Sequence, residues 1–208
     1  ACSTNCTVVP AALALKPLWD FIGLNEVSIQ TEQSLSGGGI ELLSSARESG
    51  IVNEEIPGEA EKMHEECLSL LGRALPTGIR PANLPLTVDC KRVMREYGHI
   101  VHVEAELYQE TGAVEVEEWM RSYRARPQAL DLPSAPSEPL SFVDELLPEY
   151  LDDAASNLRA GMDVRIANLT VEGSCVKFSA WSENTIRGAA GGTVLLAELL
   201  LAEGLLGN

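Results

Sequence analysis

The strict alternation of apolar and polar residues at positions 101–108 constrains the fold of this chain most. The two alternating sets are Val101, Val103, Ala105 and Leu107 against His102, Glu104, Glu106 and Tyr108. Successive side chains of a β-strand point to opposite faces, so the pattern predicts a strand with only one face in a core. Residues 164–169 and 174–181 alternate in the same way and predict a strand pair, with its turn at Glu172-Gly173.

Helical patterns surround these strands. The predicted helices cover residues 6–22, 40–49, 58–73, 114–124 and 186–204. A short strand is predicted around Val27 and Ile29, a loop at 76–85, and an ordered proline-rich excursion at 127–139. Because the elements show no regular βαβ repetition, we predict an α+β fold with one mixed or antiparallel sheet flanked by helices. A length of 208 residues allows one compact domain, or one and a half at most.

The charge balance limits the possible partners. The chain carries 31 acidic against 15 basic residues, a formal net charge of −16. Binding to nucleic acid or to an anionic membrane surface is therefore not expected, because both need a basic face. No apolar run reaches the roughly 18 residues that a membrane span needs. In so acidic a chain, the clustered cations Lys91, Arg92 and Arg95 are candidates for a specific task.

The cysteine pattern favours free thiols. Five cysteines occur at scattered spacings, at positions 2, 6, 67, 90 and 175. An odd, scattered set is typical of a reducing compartment, here the cytoplasm, rather than of a disulfide framework. Cys2 and Cys6 do not form a CxxC pair, and no histidine follows at a zinc-ligand spacing, so no metal site is predicted.

One of these cysteines lies where it could act as a nucleophile. Cys6 stands in Asn5-Cys6-Thr7, directly before a predicted helix. The positive end of a helix dipole favours the thiolate, which attacks acyl phosphates and aldehydes. Taken alone, however, a single cysteine is more often a small buried hydrophobic residue.

Three further segments could carry chemistry. Residues 31–39 contain three successive glycines, which allow a backbone to approach a ligand closely. Residues 90–99 combine arginines that can clamp a carboxylate with His99, which can shuttle a proton. Residues 182–192 form a helix entry of small residues. The plainer interpretations are a flexible turn, surface side chains and a tightly packed helix start.

In combination, these segments resemble the aspartate-semialdehyde dehydrogenase family, above all its archaeal and fungal branch. The matching stretches occur in family order: Asn5-Cys6-Thr7, Leu15 to Leu18, Thr31 to Gly39, Glu59 to Met63, Arg92 to His99, Ser182 to Gly191, and Ala197 to Leu200. Gln33 follows Cys6 by 27 residues and His99 follows Arg92 by seven, as in the family. The resemblance covers almost the whole chain.

The resemblance implies a reaction and a set of roles. The family reduces 4-aspartyl phosphate to aspartate 4-semialdehyde with NADPH, releasing phosphate, on the route to lysine, threonine and methionine. Cys6 would form the thioacyl enzyme, Gln33 would orient the acyl group, and His99 would act as general acid/base. The implied substrate-binding residues are Arg92, Glu59 and Lys62. The implied contacts to the nicotinamide end of NADP are Ser36, Gly37 and Asn184.

The resemblance also implies a domain and an assembly. Residues 1–208 would form the C-terminal catalytic and dimerisation domain of the family, which is glyceraldehyde-3-phosphate-dehydrogenase-like. A homodimer is expected, with the outward faces of strands 100–108 and 174–181 as candidate interface. The family's N-terminal Rossmann NADP-binding domain is absent from this sequence, which begins at Ala1 in a motif, as a fragment would. The isolated chain is therefore not expected to turn over NADP.

Three alternatives remain open. Cys2 lies four residues before Cys6, the spacing seen in glyceraldehyde-3-phosphate dehydrogenase, where the first cysteine is the nucleophile. A malonyl-CoA reductase uses the same scaffold and would need the same cysteine and arginine. A non-catalytic dimerisation paralogue would keep the fold without turnover.

Overall fold

The computed structural model describes residues 2–146 and 157–206. The helices in that part of the chain are α1 Val8–Phe21, α2 Ile40–Ser49, α3 Glu59–Leu71, α4 Ala113–Ser122, α5 Arg126–Ala129 and α6 Gly191–Ala202. The strands are β1 Leu24–Gln33, β2 Arg73–Leu75, β3 Gly78–Arg80, β4 Leu86–Arg92, β5 His99–Leu107, β6 Leu140–Phe142, β7 Val164–Glu172 and β8 Cys175–Ser182.

Six of these strands form one mixed sheet in the order β4-β1-β5-β8-β7-β6. β1 runs parallel to β4 and antiparallel to β5, and the antiparallel β5-β8-β7 ladder follows, with β6 parallel to β7 at the edge. The strands β2 and β3 pair in a separate hairpin. The predicted α+β fold with a mixed sheet flanked by helices is therefore confirmed.

The main core lies on one face of the sheet. The apolar set of β5 is buried there, as the alternation predicted, together with Val27 and Ile29 of β1. α1 covers these residues with Leu15 and Leu18, which are both fully buried, and it also packs against α3 and α4. Burying an aliphatic side chain of this size contributes roughly 1.5–3 kcal/mol, so α1 is anchored firmly on the sheet.

The opposite face of the sheet is polar. A shallow groove there is lined mostly by polar side chains, with two apolar residues among them: Ser28, Gln30, His102, Val103, Glu104, Asn168, Lys177, Phe178 and Ser179. Polar side chains pair on this face, with Lys177 Nζ 3.0 Å from Glu104 Oε2 and His102 Nε2 3.3 Å from Glu32 Oε1. None of the described helices is long and apolar enough to cross a membrane.

Several element boundaries differ from the predictions. β1 extends well beyond the predicted Val27 and Ile29. Its second half is polar in sequence, but Thr31 and Gln33 in that half are buried, so it belongs to the strand. The edge strands β4 and β6 and the hairpin within 73–80 were not predicted. The predicted helix 186–204 begins as a π-helical turn, Ile186–Ala190, before α6, and the predicted helix 6–22 begins only at Val8. The excursion at 127–139 is ordered, with Leu132, Ser134 and Ala135 buried.

Candidate active site

The segments that could carry chemistry meet at one edge of the sheet, the edge at which β1 and β4 end and β5 begins. Gln33 ends β1, and Arg92, its register partner, ends the parallel strand β4. β5 runs antiparallel to β1, so its first residue, His99, lies at the same edge. The turn before α1 brings Cys6 to this edge from the covered side of the sheet. Sheet topology thus unites residues up to 93 positions apart in sequence.

Cys6 and His99 are in direct contact. The Sγ of Cys6 lies 3.2 Å from Nε2 of His99. His99 is fully buried, whereas Cys6 is half-buried and reachable. Two glycines permit this approach: a Cβ at Gly37 would lie 2.8 Å from Cε1 of His99, and one at Gly188 would lie 2.5 Å from Cβ of Cys6. Both positions are closed to any side chain unless the pair moves apart.

The protonation state of this pair differs from the sequence-based prediction. Burial raises the pKa of the Cys6 thiol, and the nearby Glu59 carboxylate raises it further. The expected thiolate at a helix N-terminus was wrong as a resting state, because α1 begins two residues later and the thiol is largely desolvated. Burial, together with Arg95 and Arg92, lowers the pKa of His99 to about 3. At neutral pH the resting pair is therefore a thiol and a neutral imidazole.

This assignment predicts the pH dependence of Cys6 alkylation. Iodoacetamide reacts with the thiolate, and desolvation disfavours the charged form, so the rate at Cys6 should rise through a pH above the value of about 8.5 for free cysteine. The rate is measured by quantitative peptide mass spectrometry across pH, with N-acetylcysteine as the reference. A reactivity plateau that persists below pH 7 would contradict it, because that is the behaviour of a thiolate–imidazolium pair.

Glu59 ties the nucleophile segment to Gln33. Its Oε1 accepts a hydrogen bond from Nδ2 of Asn5, at 2.9 Å, and from Nε2 of Gln33, at 3.2 Å. A second carboxylate of α3, Glu66, accepts from Oγ1 of Thr4 at 2.6 Å and from the amide of Asn5 at 2.9 Å. Helix α3 therefore holds the segment before Cys6 through two carboxylates.

Arg92 lies beside the Cys6–His99 pair, where the Glu59 carboxylate acts on its charge without forming an ion pair. Only 9% of the residue is exposed, and its Nη1 donates to the Ser34 carbonyl at 2.9 Å. In the described part of the chain no carboxylate lies within ion-pair distance of it, and burial lowers the pKa of its guanidinium. Lys62 is exposed one turn beyond Glu59 on α3. Arg92 thus joins the site closely, whereas Lys62 lies at its rim.

The three residues expected near a nicotinamide divide into two groups. Ser36 is half-buried and Gly37 is exposed, both in the turn above His99. Asn184 is buried, and its amide atoms are engaged internally: Oδ1 accepts from the Gly98 amide and from Ser34 and Ser36, while Nδ2 donates to Ser36. Asn184 therefore braces the residues around His99, and only Ser36 and Gly37 face outward.

Four residues of this arrangement were not assigned a role from the sequence. Ser34 contacts the far side of the His99 ring, Glu66 holds Asn5, and Gly98 and Gly188 make room for Trp181 and Cys6. Glu66 and Gly188 lie within or beside motif segments that could have drawn attention. Ser34 lies between Gln33 and Ser36 but was not itself one of the residues that carried the resemblance, so nothing marked it. Among residues 2–146 and 157–206, no cluster of three His, Cys, Asp or Glu side chains is arranged to hold a metal ion.

Comparison with known proteins gives the same family as the motifs. No protein-family model matches the chain. An aspartate-semialdehyde dehydrogenase of Methanothermobacter thermautotrophicus is 33% identical over 203 residues, covering 94% of this chain and 57% of the relative. The one of Archaeoglobus fulgidus is 34% identical over 204 residues, covering 96% and 57%. The chain is a homologue of the aspartate-semialdehyde dehydrogenases. It spans just over half the length of these relatives.

Two further matches concern the chemistry and the fold found among similar proteins. A malonyl CoA reductase (NADP) of Metallosphaera sedula is 32% identical over 206 residues, covering 96% of this chain and 57% of that protein. The solved structure of Candida albicans aspartate-semialdehyde dehydrogenase with NADP superposes with a TM-score of 0.81 at 24% identity, covering 99% of this chain and 58% of that one. The first shows that a second chemistry occurs among similar sequences, and the second shows a shared fold.

Proposed function

We propose that this chain provides the catalytic domain of an NADP-dependent aspartate-semialdehyde dehydrogenase. The supporting observation is the half-buried Cys6 thiol at 3.2 Å from His99, with the Arg92 guanidinium, which forms no ion pair among the described residues, beside them. A reachable nucleophile next to an unpaired cation suits a substrate that carries both an acyl group and a carboxylate. The reaction is the reduction of 4-aspartyl phosphate to aspartate 4-semialdehyde.

The chemistry divides into an acylation and a reduction. The Cys6 sulfur attacks the acyl carbon, the carbon–oxygen bond to phosphate breaks, and phosphate leaves with that electron pair. Arg92 binds the α-carboxylate, and Gln33, held by Glu59, orients the acyl group. After reduction, the carbon–sulfur bond breaks, the aldehyde leaves, and sulfur keeps the electron pair as thiolate. Nε2 of His99 lies at the sulfur through both halves.

The turn at 36–38 fits the reactive end of NADP. Gly37 is exposed beside His99, and a Cβ there would collide with the ring, so this close approach of the backbone to His99 requires glycine. Ser36 and Gly37 would hold the nicotinamide end, while Asn184 positions Ser36 from behind. When bound, the reduced cofactor supplies the hydride.

Acylation tests this proposal without the reduction step. The chain is incubated with 4-aspartyl phosphate, then digested and analysed by mass spectrometry. We expect an aspartyl thioester on the peptide that carries Cys6. Malonyl-CoA is tested in parallel, because a relative is a malonyl CoA reductase. A malonyl adduct without an aspartyl adduct would transfer the proposal to that substrate, and no adduct with either would refute it.

Arg92 is expected to determine binding of the acyl donor. Replacing Arg92 with glutamine removes a charge-assisted, bidentate carboxylate contact worth about 1.5–3 kcal/mol, so the 4-aspartyl phosphate concentration for half-maximal acylation should rise roughly 10- to 100-fold. The measurement is the acylation rate against substrate concentration. Arg121→Gln is the matched control, since Arg121 pairs with Glu117 on the exposed side of α4. Equal effects of the two substitutions would contradict the role of Arg92.

We also propose that the chain works in a reducing compartment such as the cytoplasm. All five cysteines are free, which supports the compartment.

We also propose a homodimer formed through the polar face of the sheet. The open groove around Gln30 and His102 is polar and is not covered by any described helix, which supports a polar interface. Sedimentation of the chain and of Gln30→Arg tests this: the substitution adds a positive charge to the proposed interface in both copies and should shift the dimer toward monomer. Ser45→Arg, on the exposed side of α2, should not.

A further inference from the structure

Two carboxylates of α3 point at the segment that carries Cys6. Glu59 and Glu66 are seven residues apart, about two helical turns, so they lie on the same side of α3. Met63 and Cys67 lie on that side as well, and both are fully buried in the main core. The buried pair fixes the rotation of α3 about its axis, and with it the direction of the two carboxylates.

Glu66 binds two consecutive residues of that segment through a single oxygen. Its Oε2 accepts a hydrogen bond from Oγ1 of Thr4 at 2.6 Å and from the amide of Asn5 at 2.9 Å. Both donors lie outside any helix or strand, so no regular ladder of hydrogen bonds holds the backbone there. Hydrogen bonds to a carboxylate are about twice as strong as those between neutral groups. Glu66 is therefore a principal anchor of the chain just before Cys6.

Asn5 passes this anchoring on to the nucleophile. While its amide N–H is bound to Glu66, its carbonyl accepts from the first two amides of α1, at 3.1 and 3.3 Å. Its side-chain Oδ1 accepts from the amide of Thr7 at 2.8 Å. Cys6 is thus enclosed by bonds made on both sides of it, and the turn holds its Sγ 3.2 Å from Nε2 of His99. A shift of Asn5 must move this sulfur.

The charge of Glu66 acts on a different thiol. Burial raises the pKa of the Cys67 thiol to about 12, and the Glu66 carboxylate contributes to that rise. The pKa of Cys6 is raised by its own burial and by Glu59, the other carboxylate of α3. Glu66 therefore acts on Cys6 through the hydrogen bonds of the preceding segment, so its acceptor oxygen matters more than its charge.

We propose that Glu66 is the positioning residue of the nucleophile: its two hydrogen bonds keep the Cys6 sulfur covered and in contact with His99. The catalytic meaning rests on the proposed function. Without this anchor the turn moves outward, which brings the thiol nearer to water and makes it easier to ionise. The same movement takes the sulfur away from the acyl group that Gln33 orients. Alkylation and acylation of Cys6 should therefore change in opposite directions.

The first measurement needs no substrate. In the 208-residue chain, Glu66→Ala removes the acceptor, and alkylation of Cys6 by iodoacetamide at neutral pH should rise by up to about tenfold, which corresponds to a pKa roughly one unit lower. Cys67 is fully buried and serves as the internal reference, because unfolding would expose it too. A rise at both cysteines would mean general unfolding and would overturn the proposal, as would an unchanged rate at Cys6.

The second measurement is acylation by 4-aspartyl phosphate. Its rate at saturating substrate should fall roughly 10- to 100-fold in Glu66→Ala, because a small misplacement of a reacting atom costs that much. The half-maximal concentration should stay within about twofold, since Arg92 is untouched. If acylation fails already in the unsubstituted chain while the alkylation result is as expected, only the proposed function is refuted.

Conservative variants separate the hydrogen bonds from the charge and from the fold. Glu66→Gln keeps an oxygen that can accept both bonds, so it should restore most of both rates, whereas a glutamine as defective as the alanine would overturn the proposal. Thr4→Val, which removes one of the two donors, should show a weaker form of the alanine effects, and Thr4→Ser should reverse it. Glu65→Ala is the matched control, because Glu65 is the exposed neighbour of Glu66 on α3. An equal effect there would also overturn the proposal.

Discussion

Serine in place of Cys6 is expected to abolish acylation of this chain by 4-aspartyl phosphate. The hydroxyl remains close to His99, but it does not ionise in the accessible pH range and is a far weaker nucleophile than a thiolate. Burial, together with Arg95 and Arg92, lowers the pKa of His99 to about 3, so His99 is a weak base toward a serine hydroxyl at position 6. We expect the acylation rate to fall by roughly 10⁴-fold or more, as when the nucleophile of a hydrolase is removed. The adduct is quantified by peptide mass spectrometry.

The control for this substitution also tests the rival nucleophile. Cys2 is exposed and lies four residues earlier, at the spacing that would favour it in a glyceraldehyde-3-phosphate dehydrogenase. Cys2→Ser should leave acylation within a factor of about two, because a change at an exposed position away from the pair leaves its packing intact. Retention of the adduct in Cys6→Ser, or its loss in Cys2→Ser, would show that the nucleophile had been assigned to the wrong cysteine.

The fold was predictable where burial alternates along the chain. β5 was found because Val101 to Leu107 face α1 while the intervening side chains face the polar groove. β4 shows a weaker alternation, with Thr87, Asp89 and Lys91 exposed at the sheet edge, and its charged end was interpreted only as a ligand-binding segment. The three residues of β6 are too few to produce a periodic signal. Edge strands lack the two-sided contacts that impose a strong pattern.

The site was predictable as a set of residues but not as an electrostatic environment. The intervals from Cys6 to Gln33 and from Arg92 to His99 identified side chains that the structure brings to one edge of the sheet. The state of Cys6 was predicted wrongly, because desolvation depends on what packs over the thiol, and sequence does not record it. The contact of Ser34 with His99 was invisible for another reason: its decisive donor is a backbone amide, which almost every residue type possesses.

Replacing Gly98 with alanine is expected to damage both the stability of the fold and the site. Gly98 has φ +78°, a left-handed conformation that costs an alanine roughly 1–2 kcal/mol. The added Cβ would also lie 2.1 Å from Nε1 of Trp181, a ring that is 1% exposed and closely packed. Overpacking of this kind costs typically 1–3 kcal/mol, so the free energy of unfolding should fall by about 3 kcal/mol or more. Urea unfolding measures this loss.

Gly50→Ala separates the two causes of that loss. Gly50 has a similar φ of +68°, but a Cβ there meets no atom within 4 Å, so this variant should lose only the conformational part. Gly98 precedes His99 and donates its amide N–H to Asn184. If the backbone shifts to relieve the clash with Trp181, the imidazole ring of His99 moves away from Cys6. Acylation at Cys6 should therefore fall in the folded fraction of Gly98→Ala and not in Gly50→Ala. Equal destabilisation of the two variants, with acylation retained in both, would mean that Trp181 yields and does not hold the turn that carries His99.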